Sequence, residues 1–481
     1  MTRTYRNYVD GEWRDSTTGE TFDTTNPAAP GEVVATYPAA GDEDAEAAIR
    51  AADEAADEWA ATPGPERGAI LRRAAANLAD RKEELTALLT AEEGKTHAEA
   101  GGEVQRAIDI FYYFAEQARD LAGERKAASG PDTNLYTREE PIGVAALITP
   151  WNYPIAIPAW KLAPALATGT TAVMKPASVA PGPALALFEA LDEAGLPDGV
   201  ANVVTASGST GAYMTEHEAV DAVSFTGSTV VGEQVYETAV EHGKRAQCEM
   251  GGKNPTVVSD TADPAEAAEI VAAGAFGVTG QACTACSRAV VHEDVHDEFV
   301  DELVAAAEGI EIGPGDEYDM GPQVTESELE GTLDYIDVAA NEGAELVAGG
   351  GQPAGDRFGD GYYVEPTVFT GVERDFRIAQ EEVFGPVVAV IEVSDFDEAV
   401  DVANDSDYGL SASIVTDDHT EANRFVEDVE AGVAKVNDKT TGLELHVPFG
   451  GVKDSSTETW REQGATGMDF YTITQTVYDS F

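Results

Sequence analysis

The sequence predicts an α/β protein built on a doubly wound, mostly parallel sheet, with a second α/β unit after it. Two patterns predict this. From Pro141 onward, short apolar runs alternate with stretches of helical period, the pattern of buried parallel strands joined by crossover helices. The alternation then restarts after Gly252, which asks for a second sheet. At 481 residues and 43% apolar content the chain can fill such cores, with room for two or three domains of about 100–200 residues each.

In chain order, residues 43–62 and 66–95 are rich in Ala, Glu and Leu at helical spacing and predict helices. Strands are expected at 144–148, 171–174, 201–204 and 222–225, with helices at 155–167, 181–194 and around 210–217 between them. In the second unit the apolar runs at 256–258, 289–291, 387–393, 412–415 and 433–436 predict strands. Helices are expected there at 264–275, 295–308, 397–404 and 420–429, and the glycine-rich stretch 349–356 as a surface loop.

Charge narrows the partners. The chain carries 89 acidic and 29 basic residues, a formal net of -60, and the acids are spread along its whole length. A tail that binds a polycation would concentrate them. The spread instead predicts adaptation to molar salt, where the Debye length falls to about 3 Å and self-repulsion is screened. Nucleic acid and anionic membranes are excluded as partners on the same grounds. No apolar run approaches the roughly 20 residues of a membrane span, and residues 1–10 lack a signal core, so a cytoplasmic protein is expected.

Three cysteines, Cys248, Cys283 and Cys286, make no disulfide framework. The C-x-x-C pair of Cys283 and Cys286 has no second Cys or His pair to complete a zinc site, and it does not sit at the helix start of a small redox domain. No metal is expected. Cys283 instead follows Gly280-Gln281 among small residues, where backbone amides can approach a bound substrate, a setting for a nucleophile. Glu249 stands beside the Gly251-Gly252 bend as a candidate base, and Asn152 lies in the rigid turn Thr149-Pro150-Trp151-Asn152-Tyr153-Pro154 as a candidate oxyanion donor. Each alone has a plain alternative: a buried thiol, a surface acid, a turn-former. Together they specify acyl chemistry.

Three further strings accompany them. Phe225-Thr-Gly227-Ser228-Thr-Val-Val-Gly232 follows a strand and opens a helix, so its amides could face a pyrophosphate. An ordinary strand–turn–helix explains it as well, since the spacing is not G-x-G-x-x-G. Lys175-Pro-Ala-Ser178 ends a strand, and Gln380-Glu381-Glu382-Val-Phe384-Gly-Pro386 is the third string.

In this order the segments resemble the aldehyde dehydrogenase superfamily over nearly the whole chain. The resemblance implies a fold of three parts: a Rossmann-like cofactor domain at 1–119 and 142–251, a catalytic domain at 252–450, and β segments at 120–141 and 451–481 that form an oligomerisation flap, its strands pairing between subunits of a homodimer or homotetramer. It implies that Cys283 attacks an aldehyde, that hydride leaves the thiohemiacetal for a nicotinamide, that Asn152 and the Cys283 amide hold the oxyanion, and that Glu249 activates water against the thioester. It assigns cofactor contacts to Lys175, Ser178, Gly227, Ser228, Gly232, Glu382 and Phe384, and the substrate pocket to Tyr153, Trp160 and Phe449. Cys286 has no catalytic role on this reading, and Arg288 a structural one. Ser178 stands where a carboxylate would repel a 2′-phosphate, so both NADP and NAD are expected as cofactors, NADP preferred.

The run Thr441-Gly442-Leu443-Glu444, then Pro448-Phe449-Gly450-Gly451, Ser455-Ser456 and Arg461-Glu462-Gln463-Gly464, departs from the S-G-x-G-R-E ending of many relatives. It looks most like the α-ketoglutarate semialdehyde (2,5-dioxopentanoate) dehydrogenases of pentose breakdown. Succinate semialdehyde, betaine aldehyde and CoA-acylating semialdehyde dehydrogenases are the alternatives, although the last typically lack a glutamate at the place of Glu249.

The charge carries a prediction. In dilute buffer, with a screening length of roughly 10 Å at 0.1 M salt, repulsion should inactivate and unfold the chain. Circular dichroism and activity followed as potassium chloride is lowered from molar concentration should fall together; full, lasting activity without salt would contradict this.

Overall fold

The computed structural model describes residues 3–315 and 317–480. The four apolar runs after Pro141 are strands Val144–Ile148, Thr171–Lys175, Ala201–Val203 and Ala222–Thr226, buried along their whole length. A fifth strand, Arg245–Glu249, escapes the apolar pattern because Arg245, Gln247 and Glu249 interrupt it. The five lie parallel in the order 245–249, 222–226, 144–148, 171–175, 201–203. Strands Asn7–Val9 and Glu12–Arg14 extend this sheet antiparallel. Chain order reverses between Val144–Ile148 and Ala222–Thr226. That reversal opens a crevice at the carboxyl ends of the two strands, where open α/β sheets bind ligands.

The helices between these strands fall within a residue or two of expectation, at Ala156–Thr168, Gly182–Glu193 and Gly208–Glu216. The single helix expected over 66–95 is two, Gly64–Asp80 and Lys82–Glu93. The chain leaves helical geometry at Arg81, whose guanidinium pairs with Glu84 and Glu189. A 24-residue helix, His97–Asp120, follows, opened by a reciprocal cap between Thr96 and Glu99. Gly101 and Gly102 in its second turn mask its period in the sequence.

The second sheet runs 345–348, 367–370, 387–393, 286–292, 254–258, 411–415, 433–436, parallel except for its first pair. Strands Val387–Val393 and Val433–Val436 coincide with the apolar runs that predict them. Helices Pro264–Phe276, His296–Gly309, Phe396–Asn404 and His419–Asp428 match expectation; Glu326–Glu342 is additional. Only residues 250–253 separate the last strand of the first sheet from the first strand of the second. The carboxyl edge of one sheet therefore meets the amino edge of the other, and the site lies at that seam.

The terminal β segments meet each other within the chain. Thr133–Pro141 pairs antiparallel with Thr472–Ser480 in unbroken register, with Arg125–Lys126 beside it. Arg245 secures the join: its Nη1 donates to the carbonyls of Asp469, Phe470 and Thr472, and its guanidinium lies 4.4 Å over the Trp460 ring. Residues 449–463 lie against the seam, with Val452–Lys453 pairing antiparallel with Tyr408–Gly409 and Phe449 bridged to Glu462. Among the described residues, no helix is long and apolar enough to cross a membrane.

Candidate active site

Cys283 is delivered by a left-handed turn. After helix Pro264–Phe276, Val278, Thr279 and Gly280 take φ of 53°, 55° and 68°. Left-handed backbone at Val and Thr is strained and needs external anchors. The anchors are Glu99 Oε1, which accepts from Val278 N–H at 2.6 Å, and the Gly321 carbonyl, which accepts from Thr279 Oγ1 at 3.1 Å. Gly280 is required twice over, since a Cβ there would fall 2.2 Å from the Gly385 carbonyl. Beyond the turn, Asn254 Nδ2 donates to the carbonyls of Cys283 and Ala285 at 2.8 and 2.9 Å. A Cβ on Gly252 would lie 2.5 Å from the same Cys283 carbonyl, so the glycine bend is the floor on which the Cys283 backbone rests. The thiol is half-buried. Burial first, then the carboxylates of Glu382, Glu249 and Glu462, push its pKa up.

The turn after Val144–Ile148 brings Asn152 to this loop. Its Nδ2 donates to the Gln281 carbonyl at 3.0 Å, two residues before Cys283, leaving its second N–H unassigned. The turn is clamped by buried charge. Glu103 Oε1 accepts from the amides of Ile155 and Ala156 at 3.0 and 3.1 Å, and its Oε2 pairs with Lys95 at 2.8 Å. Lys95 Nζ in turn donates to the Asn152 carbonyl. The positions of Asn152 and Tyr153 thus depend on side chains some fifty residues upstream, which no local motif reveals.

Glu249 ends the edge strand Arg245–Glu249 and is buried. Its carboxylate accepts from Gly451 N–H and from Ser456 Oγ, both at 2.9 Å. Burial and the nearby Glu462 carboxylate hold its carboxyl well above the ordinary range; the two hydrogen bonds and Lys161 offset this in part. Glu462 is itself paired with Lys161, whose Nζ also donates to Ser224 Oγ at 2.8 Å. The sequence reading gave Lys161 and Glu462 no role. The signal was present: Lys161 is the one charged residue in Ala156–Thr168, a helix buried at every position. A buried ammonium needs a compensating partner or a lowered pKa, and here the partner is an acid.

A cavity of about 340 Å³ opens at the seam, within the size range of small-molecule sites. Cys283, Tyr153, Trp160 and Phe449 all line it, so the structure brings the cysteine and the three expected pocket residues together. The Trp160 and Phe449 rings lie 6.1 Å apart. Phe449 is held by reciprocal 2.7 Å backbone hydrogen bonds with Glu462. Arg106, from helix His97–Asp120, also lines the cavity.

The other expected residues flank the crevice. Lys175 is buried, donating to the carbonyls of Pro176 and Ala206 at 3.2 and 3.5 Å, and burial draws its pKa down to about 8. Ser178 Oγ donates to the same Ala206 carbonyl at 3.1 Å. Gly227 N–H is taken by the Glu249 carbonyl at 3.1 Å, and Gly232 packs against Met250. Ser228 caps helix Thr229–Glu241 without a side-chain cap bond to its first-turn amides. Glu382 Oε1 accepts from Gly252 N–H at 2.9 Å, and burial raises its carboxyl to about 7. Phe384, at φ 59°, sets its ring edge-on to Trp151 at 5.4 Å. A helix N-terminus at the switch point, a buried lysine bonded only to carbonyls and a carboxyl on the glycine bend have donors and acceptors that fit the groups of a dinucleotide.

Two residues stand apart from the chemistry. Cys286 Sγ lies 3.2 Å from Thr256 Oγ1, and burial raises its thiol to about 11. Arg288 donates to the carbonyls of Lys253, Val402 and Ala403, a structural role.

Residues 13–477 match the Aldehyde dehydrogenase family. An α-ketoglutarate semialdehyde dehydrogenase of Haloferax volcanii is 69% identical over all of both chains. A 2,5-dioxopentanoate dehydrogenase of Saccharolobus solfataricus is 43% identical over 96% of this chain and 97% of its own. Among solved structures, betaine aldehyde dehydrogenase of Staphylococcus aureus in complex with NAD+ superposes with a TM-score of 0.96 at 36% identity, covering 98% of this chain and 94% of that one. The chain belongs to the aldehyde dehydrogenase family and is an NAD(P)-dependent oxidoreductase that converts an aldehyde to its acid.

Proposed function

We propose that the substrate is α-ketoglutarate semialdehyde, oxidised to 2-oxoglutarate in pentose degradation. The observation that carries this is the 69% identity, end to end, with the Haloferax volcanii enzyme of that name. On this reading Cys283 adds to the aldehyde carbon, and the free N–H of Asn152 and the Cys283 amide take the oxygen. A donor of this kind is worth about 3–4 kcal/mol. The nicotinamide cofactor, held through Lys175, Ser178, Ser228 and Glu382 with Phe384 beside the ring, supplies the two-electron acceptor. Glu249 removes a proton from the water that attacks the resulting thioester. The paired Glu462 and Lys161 behind it set how readily it holds that proton.

NADP is the preferred cofactor and NAD the second, because Ser178 places no carboxylate against a 2′-phosphate. The division into a cofactor domain, a catalytic domain and flap segments belongs to the same proposal, as do flap strands pairing between copies in a homodimer or homotetramer and a cytoplasmic location.

A panel of α-ketoglutarate, succinate and glutarate semialdehydes with betaine aldehyde, assayed with both cofactors in molar potassium chloride, tests the substrate. The highest kcat/KM is expected for α-ketoglutarate semialdehyde; a higher value for any other member refutes it.

Replacing Ser178 by Glu should shift the ratio of NADP to NAD efficiencies toward NAD. An unmoved ratio would locate the choice elsewhere in the adenosine pocket.

Glu249 works as a base only when ionised, so turnover limited by thioester hydrolysis rises with pH through its raised pKa. Glu462→Gln removes the like charge and frees Lys161, and both effects favour the ionised form. The rising limb of the kcat profile should therefore move to lower pH. A limb that stays in place would uncouple Glu462 from Glu249.

A further inference from the structure

We propose that Arg106 is the residue that selects the substrate, its guanidinium binding the carboxylate at the end of the molecule remote from the aldehyde. The proposal rests on the reading of the substrate as a 2-oxo acid semialdehyde. Arg106 shares a cavity with Cys283 and projects from the same helix face as Glu99 and Glu103.

The charges lining that cavity are already spent, with one buried exception. Glu99 accepts from Val278 and Thr96. Glu103 accepts from Ile155 and Ala156 and pairs with Lys95, which also pairs with Glu93. Lys95 therefore has no charge to offer a ligand. Arg106 forms no ion pair among the described residues. Its two hydrogen bonds go to neutral oxygens, Nη1 to the Leu443 carbonyl and Nη2 to Gln463 Oε1 at 2.7 Å. In a chain with 89 acids against 29 bases, a half-buried guanidinium that feels carboxylates only at longer range, those of Glu444 and Asp109, is unusual. A guanidinium has five N–H donors in a planar fork, so donors remain for a ligand carboxylate.

The residues that hold Arg106 add to the case. Leu443 and Gln463 lie in the strings Thr441-Gly442-Leu443-Glu444 and Arg461-Glu462-Gln463-Gly464, the two that set the C-terminal run of this chain apart. They brace the guanidinium without neutralising it. Lys439, exposed on the same lining, adds charge of the same sign, while Ile157, Trp160 and Phe449 supply apolar wall for a methylene chain. A trimethylammonium aldehyde would meet two cations here.

The test uses the full-length enzyme in molar potassium chloride. kcat/KM is measured for α-ketoglutarate semialdehyde and for pentanal, which has the same carbon count without the charge. Arg106→Gln should lower the ratio of charged to uncharged efficiency by roughly 30-fold or more, through KM, as loss of a charge-assisted bidentate contact does. Arg106→Lys should recover part of it. Gln463→Glu should also lower the ratio, by giving the intact guanidinium an internal carboxylate, and it decides the matter if Arg106→Gln fails to fold. A ratio unchanged in these variants, or an equal loss for both aldehydes, overturns the role of Arg106. If the wild-type enzyme does not favour the charged aldehyde over pentanal, the substrate reading itself fails, and the proposal with it.

Discussion

Placing one ammonium inside a helix that is otherwise apolar and wholly buried commits the rest of the site. Lys161 has no water to solvate it, so a compensating partner must be brought to it, and Glu462 is that partner. Glu462 comes from the far end of the chain, and its backbone is bonded to that of Phe449. The C-terminal loop is thereby pinned against the seam between the two sheets. Gly451 and Ser456 on the same loop then bind Glu249. Breaking such a pair by removing one partner costs about 3–5 kcal/mol, since the other is left buried and uncompensated. The pair therefore supports the loop's position, while its carboxylate raises the pKa of Glu249 and its ammonium offsets part of that rise.

The same economy governs the other side of the cavity. Glu103 and Lys95 fix the turn that carries Asn152, and Glu99 holds the strained turn that presents Cys283. One helix, His97–Asp120, thus holds the segments of Asn152 and Cys283 from behind. Buried charges are used here as anchors for backbone geometry. Several interior cations of this chain of formal net charge -60 are bound to carbonyls, as with Lys175, Arg245 and Arg288, while buried Lys253 has its pKa drawn down to about 7 by burial. Arg106 matters because it keeps its charge next to the cavity.

Much of the fold was legible because parallel strands buried on both faces write themselves as continuous apolar runs. Val144–Ile148 and Val387–Val393 coincide with theirs. Arg245–Glu249 was not legible, because its polar residues serve the site and the flap. His97–Asp120 was hidden by Gly101 and Gly102 in its second turn. The break at Arg81 depends on an ion pair with Glu189, a hundred residues away.

The candidate residues were legible to the extent that their chemistry is local. A cysteine among small residues, a glutamate at a glycine bend and an asparagine in a proline-bounded turn each carry their own signal. Family membership and the order of the motifs follow from the sequence by itself, since short strings of fixed spacing encode them. The tertiary structure alone decided what surrounds those groups: the Lys161–Glu462 pair, the clamp of Lys95 and Glu103, the unpaired guanidinium of Arg106. These depend on which charges meet inside a low-dielectric interior. Such meetings join residues up to 300 positions apart and leave no periodic trace in the chain.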